Sequence, residues 1–114
     1  MVQADRTQLQ QVILNLLNNA MDAVSASDQP EKRISISARN DTTQLAISVE
    51  DNGIGIAPED QASVFELFKT SKSDGRGVGL WLSKTVINAH DGEIHLFSQE
   101  GKGARFEVRL PLAA

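Results

Sequence analysis

The first quarter of the chain carries apolar residues at helical spacing, with polar residues between them. This stripe predicts an amphipathic helix over residues 6 to 25, because residues three and four apart share one face of a helix. Helical spacing returns from Val78 onward and predicts a second long helix. Between the two, Pro58 suits the first turn of a short helix that we expect to reach Phe68.

Four further segments alternate apolar and polar residues, as strands with one buried face do. They cover residues 33–39, 44–50, 93–99 and 104–110. Residues 40–43 and 100–103 are rich in turn formers and join the strands in two pairs. Helices set apart from paired strands indicate an α+β fold. We expect a two-layer α/β sandwich, in which three helices cover one face of a mixed, mostly antiparallel sheet.

Length and charge narrow the classes of function. The 114 residues fit a single domain over 1–114, and the net charge of −4 argues against non-specific binding to nucleic acid or to an anionic membrane. The absence of cysteine excludes disulfides and cysteine-ligated metals. No apolar run approaches the ~20 residues of a membrane-spanning helix, and no signal peptide opens the chain. We therefore expect a cytoplasmic domain, whose parent protein is either free in the cytoplasm or anchored in a membrane elsewhere.

A cluster of polar residues lies on the first predicted helix. Asn15, Asn19 and Asp22 are spaced so that they share one face, next to the apolar stripe. Amide side chains in that position need partners, because a polar group buried without one is costly. They either serve as helix caps or bond to a neighbouring loop, or they supply an oxygen ligand to Mg²⁺ beside a bound phosphate. Taken alone, the cluster favours the first alternative.

Two glycine-rich segments follow this helix in the sequence. Asp51 ends a predicted strand and is followed by two spaced glycines, which indicates either a plain turn or a carboxylate that accepts a hydrogen bond from the amine of a base. Residues 75–79 hold three glycines and lead into the second long helix, where backbone N–H groups attract phosphate. Lys72 and Arg76 add positive charge there. Neither segment is a dinucleotide fingerprint or a Walker loop.

Five motifs in one order resemble the catalytic ATP-binding domain of two-component sensor histidine kinases. This domain belongs to the Bergerat-fold group, which includes gyrase, the ninety-kilodalton heat-shock chaperone and the MutL-type repair proteins. The chain is similar to it at an asparagine box, a first glycine box, a phenylalanine box, a short lid with a second glycine box, and a closing hairpin. These lie at residues 15–20, 51–56, 65–68, 68–80 and 101–111.

The resemblance implies a role for each matching residue. Asn19 would ligate Mg²⁺, Asp51 would accept a hydrogen bond from the adenine amine, and Lys72 of the lid would contact the phosphates of ATP. Phe65 and Phe68 would anchor the base of the lid in the core. The implied ATP-binding set is Asn15, Asn19, Asp22, Asp51, Gly53, Gly55, Ile56, Phe68, Thr70, Lys72, Gly75, Arg76, Gly77, Val78, Gly79 and Leu80.

Asn15 bears on whether ATP is hydrolysed or its phosphoryl group is transferred. Relatives that hydrolyse ATP have a glutamate there as general base, and an amide cannot take up a proton. The resemblance therefore implies slow hydrolysis and transfer of the γ-phosphoryl group to a histidine on a separate dimerisation domain, with a response regulator downstream. His90 matches a structural histidine at a helix end, so the acceptor is expected outside this chain, which alone would not autophosphorylate. The alternatives are an ATPase of the same fold, or an anti-sigma-type serine kinase or nucleotide-sensing module.

Overall fold

The computed structural model describes residues 6–66 and 76–111. Its elements in chain order are α1 (Arg6–Ser25), β1 (Ile34–Asn40), β2 (Gln44–Asp51), α2 (Pro58–Gln61), α3 (Arg76–Ala89), β3 (Glu93–Gln99) and β4 (Gly103–Pro111). The order matches the one predicted from hydrophobic spacing. In the described part of the chain, no helix is long and apolar enough to cross a membrane.

The four strands form one sheet in the order β1-β2-β4-β3, and each described pair is antiparallel. Register places apolar side chains in rows across the sheet, such as Ile36, Val49, Phe106 and Leu96. Because side chains alternate between the two faces of a strand, these rows form one apolar face. The predicted α+β two-layer sandwich is confirmed.

The helices pack on that apolar face and complete the core. Helix α1 contacts the two central strands, and α3 lies against α1 and β3. Phe65, just after α2, meets Phe106 edge-on with the ring centroids 5.9 Å apart, which confirms its predicted place in the core. The buried apolar cluster consists of Val12, Leu16, Ala20, Val49, Leu80, Ile87, Ile94, Phe106, Val108 and Leu110.

Two helix boundaries differ from the prediction. Helix α2 is a single turn that ends at Gln61, and turns follow to residue 65, instead of a helix that reaches Phe68. The backbone N–H of Ser63 donates to the Asp60 carbonyl three residues before it, which is turn geometry and not the α-helical pattern. Helix α3 begins at Arg76, two residues before the predicted start, because a glycine-rich first turn shows no apolar spacing.

Strand β1 is less buried than its alternation predicts. Ile36 is 53% exposed and Ala38 is also exposed, although both lie on the helix-facing side. The reason is the position of β1 at the edge of the sheet, since α1 packs mainly over β2. The hairpin that follows β1 is confirmed: the Oδ1 atom of Asp41 accepts hydrogen bonds from the backbone N–H groups of Thr43 and Gln44, both at 2.7 Å.

The outer face of the sheet holds a buried carboxylate. Glu107 is only 1% exposed, because arginine side chains cover it. Its Oε2 atom accepts hydrogen bonds from Nε of Arg109 at 2.8 Å and pairs with Nη2 of the same residue at 2.6 Å. On the other side, Oε1 lies 3.6 Å from Nη2 of Arg39 and accepts from the Ser48 hydroxyl at 3.4 Å. The hydrogen bond from Arg109 holds the pKa of Glu107 below its ordinary value.

Substitution of Glu107 by glutamine is expected to lower the free energy of unfolding at pH 7 by about 1–3 kcal/mol, because the buried arginine hydrogen bonds lose their charged acceptor. A carboxyl with a lowered folded-state pKa stabilises the fold above its ordinary pKa of 4.5 and loses that contribution as the pH falls through the folded value. The difference between wild type and Glu107→Gln in urea unfolding should therefore shrink below about pH 4.5. Glu93→Gln, exposed on the same face, is the control and should change stability by less than about 0.5 kcal/mol.

Candidate functional site

One row of residues on α1 organises the candidate site. Asn15, Asn19 and Ala23 are four residues apart, so they lie along one side of the helix over about 12 Å. The structure docks a different segment at each end of this row. The start of α3 meets Asn15, and the loop after β2 meets Ala23. Asn19 therefore lies between two glycine-rich segments that are far apart in the sequence.

Hydrogen bonds from Asn15 fix the α3 end. Its Nδ2 atom donates to the Gly79 carbonyl and to the Ser83 hydroxyl, each at 3.3 Å. Its Oδ1 atom accepts from Nε2 of Gln11 at 3.0 Å. A Cβ atom added to Gly79 would lie 3.6 Å from Cγ of Asn15, which is ordinary packing distance. The Asn15 amide thus joins α1 to α3, and its partners lie in a helix instead of the neighbouring loop that the sequence suggested.

Close backbone packing fixes the other end. A Cβ atom on Gly53 would lie 2.4 Å from the carbonyl carbon of Ala23, so a larger residue would push the loop off α1. The backbone N–H of Ile54 donates to the Ala23 carbonyl at 3.2 Å. The glycine at this position therefore allows the loop to lie directly on the helix next to Asp22.

The carboxylate of Asp51 sits at the base of this loop and is 6% exposed. Its Oδ1 atom accepts a hydrogen bond from the backbone N–H of Gly53 at 2.8 Å. Burial raises the pKa of Asp51, and backbone hydrogen bonds from Gly53 and Ala104 oppose that rise. A buried carboxylate is costly to keep charged, and a raised pKa in a glycine-lined position is typical of a functional residue.

The loop is held at a third point by the β3–β4 turn. Gly55 has a left-handed backbone with φ of +70°, and a Cβ atom there would lie 2.2 Å from the Gln99 carbonyl oxygen. The backbone N–H of Ile56 donates to the Ser98 hydroxyl at 2.8 Å, and that of Gly101 donates to the Ile54 carbonyl at 2.6 Å. The residues from Asp51 to Ile56 are therefore anchored on both α1 and the sheet.

The structure brings together part of the predicted ATP-binding set. Three groups meet around α1, namely its own polar residues, the loop after β2, and the start of α3. The side chain of Leu80 is buried in the hydrophobic core. The described members are Asn15, Asn19, Asp22, Asp51, Gly53, Gly55, Ile56, Gly79 and Leu80. The backbone of Arg76, Gly77 and Val78 forms the first turn of α3, whereas Phe68, Thr70, Lys72 and Gly75 lie outside the described residues.

The hydrogen-bond partners of Asn15 were missed from the sequence. Ser83 is completely buried on α3 and accepts from Asn15, and Gln11 lies one turn before Asn15 on α1. A signal for Ser83 was present, because it lies between Leu80 and Ile87 in the buried stripe of α3, where a polar residue needs a partner.

Curated proteins similar to this chain are sensor kinases. The signal transduction histidine-protein kinase AtoS of Escherichia coli strain K12 is 46% identical over 111 residues, which is 97% of this chain and 18% of AtoS. The sensor histidine kinase ZraS of Salmonella typhimurium is 40% identical over 114 residues, which is 99% of this chain and 24% of ZraS. The chain thus spans about a fifth of the length of these relatives.

Solved structures and a family model point to the same family as these relatives. The catalytic domain of histidine kinase ThkA superposes with a TM-score of 0.81 at 32% identity, covering 96% of this chain and 70% of that one. Full-length ShkA in complex with AMPPNP gives a TM-score of 0.78 at 28% identity, covering 94% of this chain and 22% of that one. The family model described as histidine kinase-, DNA gyrase B-, and HSP90-like ATPase matches residues 4–114. The chain belongs to this ATP-binding family, and its predicted resemblance to the catalytic domains of sensor histidine kinases is confirmed.

Proposed function

We propose that this chain is a catalytic domain that binds MgATP and donates the γ-phosphoryl group to a histidine on a separate dimerisation domain of a sensor histidine kinase. A response regulator would receive the phosphoryl group afterwards. The observation that carries the proposal is the row on α1. It sets the Asp51 loop at one end and the first turn of α3 at the other, with Asn19 between them.

The Asp51 loop is the adenine end in this proposal. A buried carboxylate accepts a hydrogen bond from the exocyclic amine of adenine, and its burial excludes the water that would compete for that bond. Gly53 and Gly55 let the loop pack closely on α1 and on the β3–β4 turn. In this proposal the planar base lies beside Ile56. Asp22 lies next to this loop on α1 and adds a second polar side chain beside the proposed adenine position.

In this proposal the phosphates bind between Asn19 and the start of α3. The first turn of a helix presents backbone N–H groups that no intrahelical carbonyl accepts, and these favour an anion. Asn19 offers an amide oxygen, a hard ligand of the type that Mg²⁺ takes alongside phosphate oxygens, so the residue fits the metal. When bound, Mg²⁺ would neutralise charge that develops on the phosphates. Lys72 of the lid would add a second cation.

The chemistry and the hydrogen bonds of the Asn15 amide favour phosphoryl transfer over hydrolysis of ATP. Its amide cannot act as a base, and both of its polar atoms already bond to protein groups. No other side chain of the row can activate water. An imidazole nitrogen of the acceptor would attack the γ-phosphorus while the bond to the β,γ-bridging oxygen breaks, so ADP leaves and the imidazole proton passes to solvent. The domain contributes position and charge neutralisation to this step.

Titration with ATP in the presence and absence of Mg²⁺ tests the nucleotide site. We expect Mg²⁺ to tighten ATP binding in the wild type. Asn19→Ala should remove most of that gain, because it deletes the oxygen ligand. Asn18→Ala is a matched control, since this neighbouring amide is buried to a similar degree, and it should keep the Mg²⁺ effect. An unchanged Mg²⁺ effect in Asn19→Ala would exclude the ligand role.

Mixing with a dimerisation domain tests the reaction. The chain, ATP, Mg²⁺ and a separately expressed helical domain that carries the acceptor histidine should yield acid-labile phosphohistidine on that domain, and the chain alone should yield none. Rapid phosphate release from the chain with ATP alone would instead favour an ATPase. Acid-stable phosphoserine on a partner protein would favour the serine-kinase alternative.

A further inference from the structure

A buried hydroxyl on α3 takes part in the contact between α3 and α1 at the proposed phosphate site. Ser83 has no exposed surface, and its Oγ atom accepts a hydrogen bond from Nδ2 of Asn15 at 3.3 Å. The same amide donates to the carbonyl of Gly79, one turn earlier on α3. An asparagine amide has two N–H donors, so this pair of contacts uses both. Two successive turns of α3 are therefore bound to one side chain of α1.

These contacts fix where α3 begins relative to α1. Gly79 belongs to the first turn and a half of α3, whose N–H groups would bind phosphate in the proposed function. Asn19 follows Asn15 by one turn of α1, about 6 Å along the helix axis. Gln11 holds the Oδ1 atom of Asn15, which leaves the Nδ2 atom directed at α3. A shift in the Asn15 amide would therefore change the spacing between Asn19 and the start of α3.

We propose that Ser83 is a positioning residue for triphosphate binding. It touches neither nucleotide nor metal. Through Asn15 it holds the first turn of α3 at the distance from Asn19 that the phosphates require. The inference rests on the proposed function, because it assumes that the phosphates bind between α1 and the start of α3. In the proposed function the adenine contacts lie at the opposite end of the row, where the Asp51 loop packs on Ala23, and they should not depend on Ser83.

The test compares two ligands on two variants of the full chain. Ser83→Ala should weaken MgATP binding about 3- to 10-fold, the effect of one buried hydrogen bond, and leave adenosine binding unchanged. Thr85→Ala is the matched control, because Thr85 lies on the exposed side of the same helix and donates to the Trp81 carbonyl within it. Calorimetric titration should show no change for that variant with either ligand. Ser83→Cys keeps the shape but accepts weakly, so it should fall between wild type and alanine.

A second measurement needs no nucleotide. Hydrogen exchange at the backbone amides of residues 80–83 should become faster in ligand-free Ser83→Ala and remain unchanged in Thr85→Ala, if the Asn15 contact holds that turn. Equal losses of MgATP and adenosine binding would show a general structural defect and overturn the inference. An unchanged ratio of the two affinities would overturn it as well. A wild-type chain that does not bind ATP at all would instead refute the proposed function.

Discussion

Asp51→Asn is expected to weaken ATP binding about 100-fold while the chain remains folded. A hydrogen bond to a charged acceptor contributes roughly 1.5–3 kcal/mol, and asparagine also presents an N–H donor to the adenine amine. The substitution keeps the side-chain shape, and the asparagine oxygen can still accept from the backbone N–H of Gly53. Because burial raises the pKa of Asp51, its charged form costs stability at pH 7, so the neutral variant should be as stable as wild type or more so.

Calorimetric titration with ATP and with adenosine, together with urea unfolding, measures both parts of this expectation. Affinity for the two ligands should fall together, since Asp51 acts on the base and not on the phosphates. Asp41→Asn is the control, because Asp41 serves the hairpin turn after β1 and should leave ATP binding unchanged. An Asp51→Asn variant that binds ATP within about threefold of wild type would exclude Asp51 as the adenine acceptor.

The framework of the fold was predictable because its elements have strong periodicity. Helix α1 was expected over residues 6–25 and is Arg6–Ser25, since a stripe of apolar residues over five turns fits only a helix. Strands β2 and β4 were equally clear, because apolar and polar residues alternate along each of them. The predicted roles of Asp51 and Asn19 came from the order of motifs and not from spacing, and they stay predictions.

Features that depend on partners could not be predicted from local pattern. The exposure of Ile36 follows from the edge position of β1, which is a property of the sheet order and not of the strand itself. The sequence left a helix cap, a neighbouring loop or a metal open as the role of Asn15. In the structure the Asn15 amide donates hydrogen bonds to Gly79 and Ser83, which lie 64 and 68 residues away in the chain. Such a contact has no local signature beyond the presence of a buried serine on α3.

Gly55→Ala is expected to lower the free energy of unfolding by about 3 kcal/mol, which corresponds to a fall in Tm of roughly 10 °C for a domain of this size. Two costs add. A left-handed backbone with a Cβ atom costs about 1–2 kcal/mol, and overpacking costs about 1–3 kcal/mol more. The second cost arises because the new atom would lie 2.2 Å from the Gln99 carbonyl oxygen, a backbone atom that moves only if the β3–β4 turn moves.

Gly101→Ala separates these two costs, since Gly101 also has a left-handed backbone, with φ of +83°. Among the described residues beyond its two chain neighbours, no atom lies within 4 Å of an added Cβ there. It should lose only about 1–2 kcal/mol in thermal or urea unfolding. Equal losses in the two variants would show that the β3–β4 turn yields to the added methyl group. If the turn does not yield, the loop must shift instead, and Gly55→Ala should then weaken adenosine binding more than Gly101→Ala does, because the loop that carries Asp51 reaches the sheet through Gly55 and its neighbours.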